Sequence, residues 1–245
     1  MNKKKTAFVG ELIFGIHPVI ELLKAKKRKL QSIYTTKPTP KAWSKIIELL
    51  PSYVNVQYVD RKALSKMAGT DDHQGVVGWA APYVTRGKPF DPQKQPFLLM
   101  LDGVQDPKNL GAILRSAYCT NASGVIVTER DSAPITATAL KSSAGLAEHL
   151  DVMITKTPAQ TLQQLKASGY HLYLMTVDES QNATKVEYQD PLCVIIGSEG
   201  TGISKSLLNL GQHITLPQRN SEVSYNASVA AGIILFEIAI RKKFL

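Results

Sequence analysis

The chain has 245 residues, of which 44% are hydrophobic, and its mean hydropathy is −0.09. This composition is typical of a soluble globular protein that is long enough for one large domain or two modest ones. No apolar run approaches the roughly 20 residues that a membrane-spanning helix needs. The basic residues 1–5 are followed by no signal-peptide pattern, so we expect a cytoplasmic protein rather than a membrane or secreted one.

The formal net charge of +9 is concentrated in the first two-fifths of the chain. Residues 1–96 carry 17 Lys and Arg against 7 Asp and Glu, a net of +10, whereas residues 97–245 carry 12 against 13, a net of −1. A short basic run such as residues 24–29 can be a solvated helix end. An excess of ten over a whole domain instead favours a polyanionic partner, and nucleic acid fits best.

The cysteines and histidines give no indication of a metal site. Cys119 and Cys193 lie in separate apolar stretches, and the five histidines show no spacing typical of metal ligands. We expect two buried free thiols in a reducing compartment, and no metal.

The first part of the chain alternates short helical and strand patterns, which predicts a small α/β unit. Helices are predicted at 16–26, at 41–49 and from residue 61, and strands at 32–35, 56–59 and 75–79. Residues 82–96 contain four of the thirteen prolines and have no apolar periodicity, as is typical of a linker. We therefore predict two domains, residues 1–81 and 97–245, joined by this linker.

The second part of the chain has the pattern of a parallel sheet that is covered on both faces, because its predicted strands are nearly all apolar. The strands are predicted at 97–101, 124–128, 152–155, 171–177, 192–196 and 213–216. Helices are predicted from Pro107, with Asp106 as the N-cap, and at 137–147 and 159–168.

The last helix is predicted at 223–240, where four large apolar residues recur at helical spacing and indicate a core-facing stripe. They are Val229, Ile233, Phe236 and Ile240. The start of this helix is unusually polar, because one helix needs only one cap residue. The polar side chains there are Ser221, Ser224, Asn226 and Ser228. A helix start is a site for anions and polar ligands, so this opening is a candidate binding site.

Three segments at predicted strand ends are candidates for chemistry, because open parallel sheets bind ligands at the carboxyl ends of their strands. They are residues 101–115, 194–203 and 216–241. The glycines at 197, 200 and 202 have the wrong order for a dinucleotide-binding fingerprint, and no P-loop lysine follows them. A nicotinamide Rossmann site and a P-loop are therefore excluded, while these glycines permit close backbone approach to a ligand.

In order and spacing, the three segments resemble the three motifs of the SpoU branch of the SPOUT methyltransferases, which methylate ribose 2'-hydroxyls of tRNA and rRNA. The N-terminal unit, with FGIHPV at 14–19 and HQGVV at 73–77, resembles the L30e-like RNA-binding domain fused to rRNA-modifying members. The resemblance covers nearly the whole chain. It implies an S-adenosylmethionine-dependent RNA methyltransferase that acts on a ribose 2'-hydroxyl, with a guanosine of 23S rRNA as the expected target.

The resemblance also implies a C-terminal α/β domain with a deep trefoil knot and a homodimer formed through the knotted region, to which the last helix contributes. Members of the family bind S-adenosylmethionine in the knot, largely through backbone groups. By position, the binding residues here are Thr176, Gly197, Leu216 and Tyr225. Tyr225 and Gln218 stand where the family commonly has Leu and Met. Because Tyr225 contributes mainly backbone, cofactor binding is expected to survive.

By position in the motifs, the candidate catalytic residues are Asn109, Arg115, Glu199, Ser224 and Asn226. Methyl transfer to a 2'-hydroxyl needs alignment of the reactants and removal of a proton. An arginine of the family has been assigned as the base, but a guanidinium group stays protonated in proteins. We interpret Arg115 as a clamp on the target phosphate or the developing alkoxide, and leave the base open.

Ordinary structural explanations exist for three of these residues. Asn109 could be a turn residue, Arg115 a surface cation, and Glu199 an exposed acid in a glycine-rich turn without a function. Two other functions also remain open at the level of sequence. One is a tRNA guanosine 2'-O-methyltransferase, and the other is an RNA-binding module without catalysis. The latter predicts decay of the motif residues, yet all five are present.

Overall fold

The computed structural model describes residues 10–177, 181–219 and 224–245. Ser221 and the predicted helix start at Val223 lie outside the described residues, as do the basic residues 1–5. The chain divides into two compact units, Met1–Val84 and Thr85–Leu245, and each is considered by itself.

The first unit combines a four-stranded sheet with three helices. Its elements are β1 (Glu11–Phe14), α1 (Ile16–Ala25), β2 (Leu30–Thr35), α2 (Trp43–Leu49), β3 (Val56–Tyr58), α3 (Arg61–Ala68) and β4 (Val76–Ala80). The strand order is β1-β4-β2-β3, in which β4 is antiparallel to both neighbours and β2 is parallel to β3. The small α/β unit is thus confirmed. The sequence does not indicate β1, because four residues next to a turn carry too little periodicity.

The FGIHPV and HQGVV segments of the first unit lie side by side. The Gly15 amide donates to the Val76 carbonyl at 3.0 Å, and the Ile16 amide donates to the Gln74 side-chain oxygen at 3.2 Å. Gln74 therefore satisfies one of the amides that the first turn of α1 leaves without a helical partner. Gly15 has a φ of 96°, a conformation that favours glycine at this turn.

The second unit is a seven-stranded sheet flanked by helices. Its elements are β5 (Phe97–Asp102), α4 (Pro107–Cys119), β6 (Gly124–Thr128), α5 (Ala137–Ser142), β7 (Val152–Thr155), α6 (Pro158–Ala167), β8 (His171–Met175), β9 (Gln181–Asn182), β10 (Leu192–Gly197), β11 (Gln212–Thr215) and α7 (Ala227–Arg241). The helix predicted at 137–147 is interrupted, because Ala144 and Gly145 both have positive φ before a short 3-10 turn at Leu146–His149.

All described strand pairs of the second unit are parallel, which confirms the predicted sheet. The strand order is β7-β6-β5-β10-β8-β11-β9. Strands β5 and β6 are buried at every residue, as a sheet covered on both faces requires. The trefoil knot implied by the resemblance stays a prediction.

Residues 85–96, which form most of the predicted linker 82–96, contain no helix or strand but pack on the second unit. The Phe90 ring is only 4% exposed and belongs to the core that β5, β6 and β8 share with α6. A Cβ added to Gly124 would lie 2.2 Å from this ring, so the glycine makes room for it. The Arg86 guanidinium lies over the same ring and forms an ion pair with Asp151 at 3.0 Å.

The expected core stripe of the last helix is wrong, because its four members are the exposed ones. Val229, Ile233, Phe236 and Ile240 are 49%, 41%, 57% and 53% exposed. The opposite face, which includes Ala231, Ile234, Leu235 and Ile238, is buried instead. Both faces of α7 are apolar, so periodicity alone could not identify the inner one. No helix in the described part of the chain is long and apolar enough to cross a bilayer.

The prediction of two buried thiols is only half right. Cys193 lies fully buried in β10, and burial raises the pKa of its thiol far above the ordinary value, so it stays neutral. Cys119 is exposed, because it is the last residue of α4 and lies outside that helix's buried stripe.

Replacing Phe90 by alanine tests whether residues 85–96 belong to the core of the second unit. We expect Phe90→Ala to lower the free energy of unfolding by about 3 kcal/mol, since it empties a packed ring site. Urea unfolding measures the change. Tyr53→Ala is the control, because Tyr53 is an aromatic residue that is 59% exposed. Equal stability of the two variants would contradict the packing role of Phe90.

Candidate active site

A cavity of about 380 Å³ opens at the carboxyl edge of the parallel sheet. It lies where β8, β10 and β11 end and where α7 begins. All four predicted cofactor-binding residues line it, together with two of the predicted catalytic residues. These six are Thr176, Gly197, Leu216, Tyr225, Glu199 and Ser224. The location agrees with the rule that ligands bind beyond the carboxyl ends of strands in open parallel sheets.

A tight loop that follows β10, residues 198–204, supplies lining residues 198–202 of the cavity and is called the glycine loop below. Ser198 and Gly202 exchange two backbone hydrogen bonds of 3.1 Å, and the Ser198 and Thr201 hydroxyls lie 2.8 Å apart. A Cβ added to Gly197 would lie 2.1 Å from the Gly202 carbonyl carbon. The absence of a side chain at Gly197 therefore lets the backbone of its own loop pass close by, and not only a ligand.

Three of the predicted catalytic side chains form one hydrogen-bonded chain beside the cavity. The Asn109 amide group donates to the Glu199 carboxylate, which joins α4 to the glycine loop. The Asn226 amide group donates to the Asn109 oxygen at 3.4 Å and joins α7 to α4. The structure thus brings together one residue from each of the three motifs.

The start of α7 is held by Asn226, whose side-chain oxygen accepts from the Ser228 amide at 2.9 Å and from the Ser228 hydroxyl. Asn226 therefore serves as an N-cap and as a member of the polar chain. The Tyr225 hydroxyl donates to the Pro217 carbonyl at 3.4 Å, a long contact between the two ends of the third motif's loop.

Arg115 is not joined to this group. It is exposed on α4, and within the described residues it has no hydrogen bond or ion pair. It lies six residues after Asn109, which places it about 9 Å further along the helix and about 120° around it. Its guanidinium is therefore available to a ligand that approaches from solvent.

Several lining residues of the cavity were not predicted. They include Met175, Thr201, Thr215 and Gln218. Met175 and Thr215 are the last residues of β8 and β11, whose ends are predicted two residues and one residue too late, whereas Thr201 and Gln218 lie in the motif loops. Thr201 carries a hydroxyl group and stands between Gly200 and Gly202, and this position is the clearest indication in the sequence that it lines the site.

Two family models match the chain. The SpoU rRNA methylase model matches residues 96–236, and the model for RNA 2'-O ribose methyltransferase substrate binding matches residues 12–85. Together they define a class of protein, an RNA methyltransferase with a substrate-binding unit before its catalytic unit. The chain belongs to the SpoU rRNA methylase family, and the family resemblance seen in the motifs is confirmed.

Named relatives match over nearly their full length. The chain is 33% identical to YacO of Bacillus subtilis, covering 93% of this chain and 94% of that protein. It is also 33% identical to the 23S rRNA (guanosine-2'-O-)-methyltransferase RlmB of Haemophilus influenzae, covering 94% and 97%. Among solved structures, an AdoMet-bound rRNA methyltransferase from Sinorhizobium meliloti shares the fold. Its TM-score is 0.78 at 24% identity, and the match covers 95% of this chain and 87% of that one.

The glycine loop makes a sharp prediction about Gly197. We expect Gly197→Ala to destabilise the protein by roughly 1–3 kcal/mol, because the new methyl group collides with loop backbone that cannot simply rotate away. Thermal and urea unfolding measure the effect. Gly200→Ala is the matched control, since a Cβ there meets nothing within 4 Å. Equal loss of stability in both variants would contradict the close approach at Gly197.

Proposed function

We propose that this protein transfers a methyl group from S-adenosylmethionine to the ribose 2'-hydroxyl of a guanosine in 23S rRNA. The proposal is supported by membership of the SpoU family and by the name of the Haemophilus influenzae relative. The Sinorhizobium meliloti structure of the same fold is described as bound to AdoMet.

The observation that carries the proposal is the cavity beside the polar chain that links the three motifs. Its volume lies within the range of small-molecule sites, roughly 300–1,000 Å³. Apolar side chains such as Ile196 and Leu216 suit an adenine ring, and backbone groups at Gly197 and Leu216 can fix its edge. Thr176 and Tyr225 complete the predicted cofactor wall.

When bound, S-adenosylmethionine supplies an electrophilic methyl group. The residues of this chain must then orient the 2'-hydroxyl and assist loss of its proton. Asn109, Glu199 and Asn226 form a connected group that can hold polar substrate atoms in place, and Ser224 offers a further hydroxyl at the cavity. Such a group can hold the reactants in the orientation that methyl transfer requires, which reduces the entropy lost on reaching the transition state.

Arg115 is proposed to bind the target nucleotide through its phosphate or the developing alkoxide. Guanidinium has the planar, forked geometry that suits phosphate oxygens, and Arg115 is exposed and makes no hydrogen bond or ion pair with the described residues. Its permanent charge makes it a stabiliser of negative charge rather than a proton acceptor.

The first unit is proposed to bind the RNA. It matches the substrate-binding model, and residues 1–84 carry 14 Lys and Arg against 6 Asp and Glu, which is +8 of the chain's net +9. Contacts between such a unit and phosphates are strongly salt-dependent and largely independent of sequence. Recognition of the ribose itself then belongs to the second unit.

An rRNA target is favoured over tRNA because the match to the Haemophilus influenzae 23S rRNA enzyme includes this first unit, covering 94% of the chain. The name of YacO leaves tRNA and rRNA open, so tRNA is retained as an outcome of the experiment below. A ribosomal substrate also implies that the enzyme works in the cytoplasm.

A homodimer is proposed through the exposed face of α7. Four large apolar side chains on one helix face, each more than two-fifths exposed, form the kind of patch that marks an interface. The helix also begins at the candidate active site, because Asn226 is its N-cap. A second copy of the chain packed on α7 would therefore lie close to that site.

Introducing a charge on this face tests the dimer. We expect Phe236→Glu to convert a dimer into a monomer, because a carboxylate buried between two copies has no partner. Light scattering after size-exclusion chromatography measures the mass. Val84→Glu is the control, since Val84 is also apolar and is 55% exposed, but lies elsewhere. A wild-type mass of one chain would refute the proposal.

The catalytic proposal is tested by transfer of labelled methyl from S-adenosylmethionine to unmodified 23S rRNA, 16S rRNA and bulk tRNA. We expect label in 23S rRNA, within an alkali-resistant dinucleotide, because 2'-O-methylation blocks hydrolysis of the adjacent bond. Arg115→Ala should lower kcat by about a hundredfold, as for loss of one donor to a developing oxyanion. Binding of S-adenosylmethionine by this variant should be unchanged.

The other outcomes separate the competing functions. Label only in tRNA would establish the tRNA enzyme. Absence of label from every RNA, with RNA binding intact, would support the non-catalytic module. Methylation of a DNA copy of the target would refute transfer to a ribose hydroxyl, because DNA lacks that group.

A further inference from the structure

Asp102 is a buried acid that the proposed reaction does not use. It is the last residue of β5, where all six residues are buried, and it is only 5% exposed. It lies outside the lining of the cavity. Burying a carboxylate is costly unless the charge receives hydrogen bonds, so its presence at the end of an apolar strand requires a structural reason.

The partner of Asp102 lies at the far end of the glycine loop. Its Oδ2 atom accepts a hydrogen bond from the Ser204 backbone amide at 2.7 Å. This distance lies at the short end of the range for N–H···O hydrogen bonds. The Ser204 amide has no backbone acceptor among the described residues, so this carboxylate is its partner.

The start of the same loop also packs on this strand end. Asp102 is paired in register with Gly197, the last residue of β10. The next residue, Gly103, has a φ of 78°, and a Cβ placed there would lie 3.5 Å from the Cβ of Ser198. Asp102 and Gly103 thus contact both ends of the loop, with Gly103 next to Ser198 at its start and Asp102 bonded to Ser204 at its end.

We infer that Asp102 is a positioning residue for the cofactor site. By holding the Ser204 amide, it keeps residues 198–204 folded back over the end of β10, where this loop lines the cavity and presents Glu199 to Asn109. Asp102 acts through the loop and not on the reacting atoms. The inference rests on the proposed function, since it assumes that the cavity binds S-adenosylmethionine.

Variants of Asp102 in the full-length protein test the inference, with S-adenosylmethionine as the titrant in calorimetry. We expect Asp102→Ala to raise the Kd about tenfold, because the buried hydrogen bond that orders the loop is lost. Asp102→Asn should stay within about threefold of wild type, because its amide oxygen can still accept from Ser204. In methyl transfer, Asp102→Ala should raise the KM for S-adenosylmethionine and leave the KM for RNA unchanged.

Asp60→Ala is the matched control, because Asp60 also accepts a hydrogen bond from a backbone amide, that of Ala63 at 2.7 Å, but in the first unit. Its Kd for S-adenosylmethionine should equal that of wild type. An Asp102→Ala variant with wild-type Kd and a lowered melting temperature would overturn the inference, because it would show a purely structural role.

Hydrogen exchange in the wild-type protein provides a measurement that does not depend on the folding of any variant. The Ser204 amide should exchange slowly although it lies in a loop, and rapid exchange would overturn the inference. Failure of the wild-type protein to bind S-adenosylmethionine would instead overturn the proposed function. The exchange of Ser204 would still report whether Asp102 holds the loop.

Discussion

The candidate site depends on the central position of β10 in the parallel sheet. β10 is hydrogen-bonded to β5 on one side and to β8 on the other, in register along both. Parallel strands end at the same edge of a sheet, so the residues that follow these three strands are brought together there. The glycine loop, Asp102 and the start of α4 lie close together because of that arrangement.

The helix α7 connects the site to the surface proposed for assembly. One face packs against the second unit through residues such as Ile234 and Ile238, while the opposite face exposes Phe236 and Ile240. Asn226, the N-cap of this helix, donates a hydrogen bond to Asn109. Because a 15-residue helix is stiff, a partner packed on its outer face also influences the position of its N-terminus.

Much of the fold was predictable, because buried parallel strands are short apolar runs bounded by turn residues. Strands β6 and β7 were predicted with the bounds that the structure shows, and Asp106 does cap α4. The two-residue strand β9 was not predicted, because so short an element exists only through its pairing with β11. The interruption at Gly145 was missed because helical periodicity continues past it.

Local pattern and residue chemistry are enough to predict the sheet type, the family motifs and six of the residues that line the cavity. Tertiary structure alone decided which face of α7 is buried, because both faces are apolar and only packing distinguishes them. It also brings Asp102 to Ser204, which is 102 residues away in the sequence. It brings Asn109 to Glu199, whereas Arg115 makes no hydrogen bond with either of them. Contacts of that sequence separation arise from strand order, which no local pattern encodes.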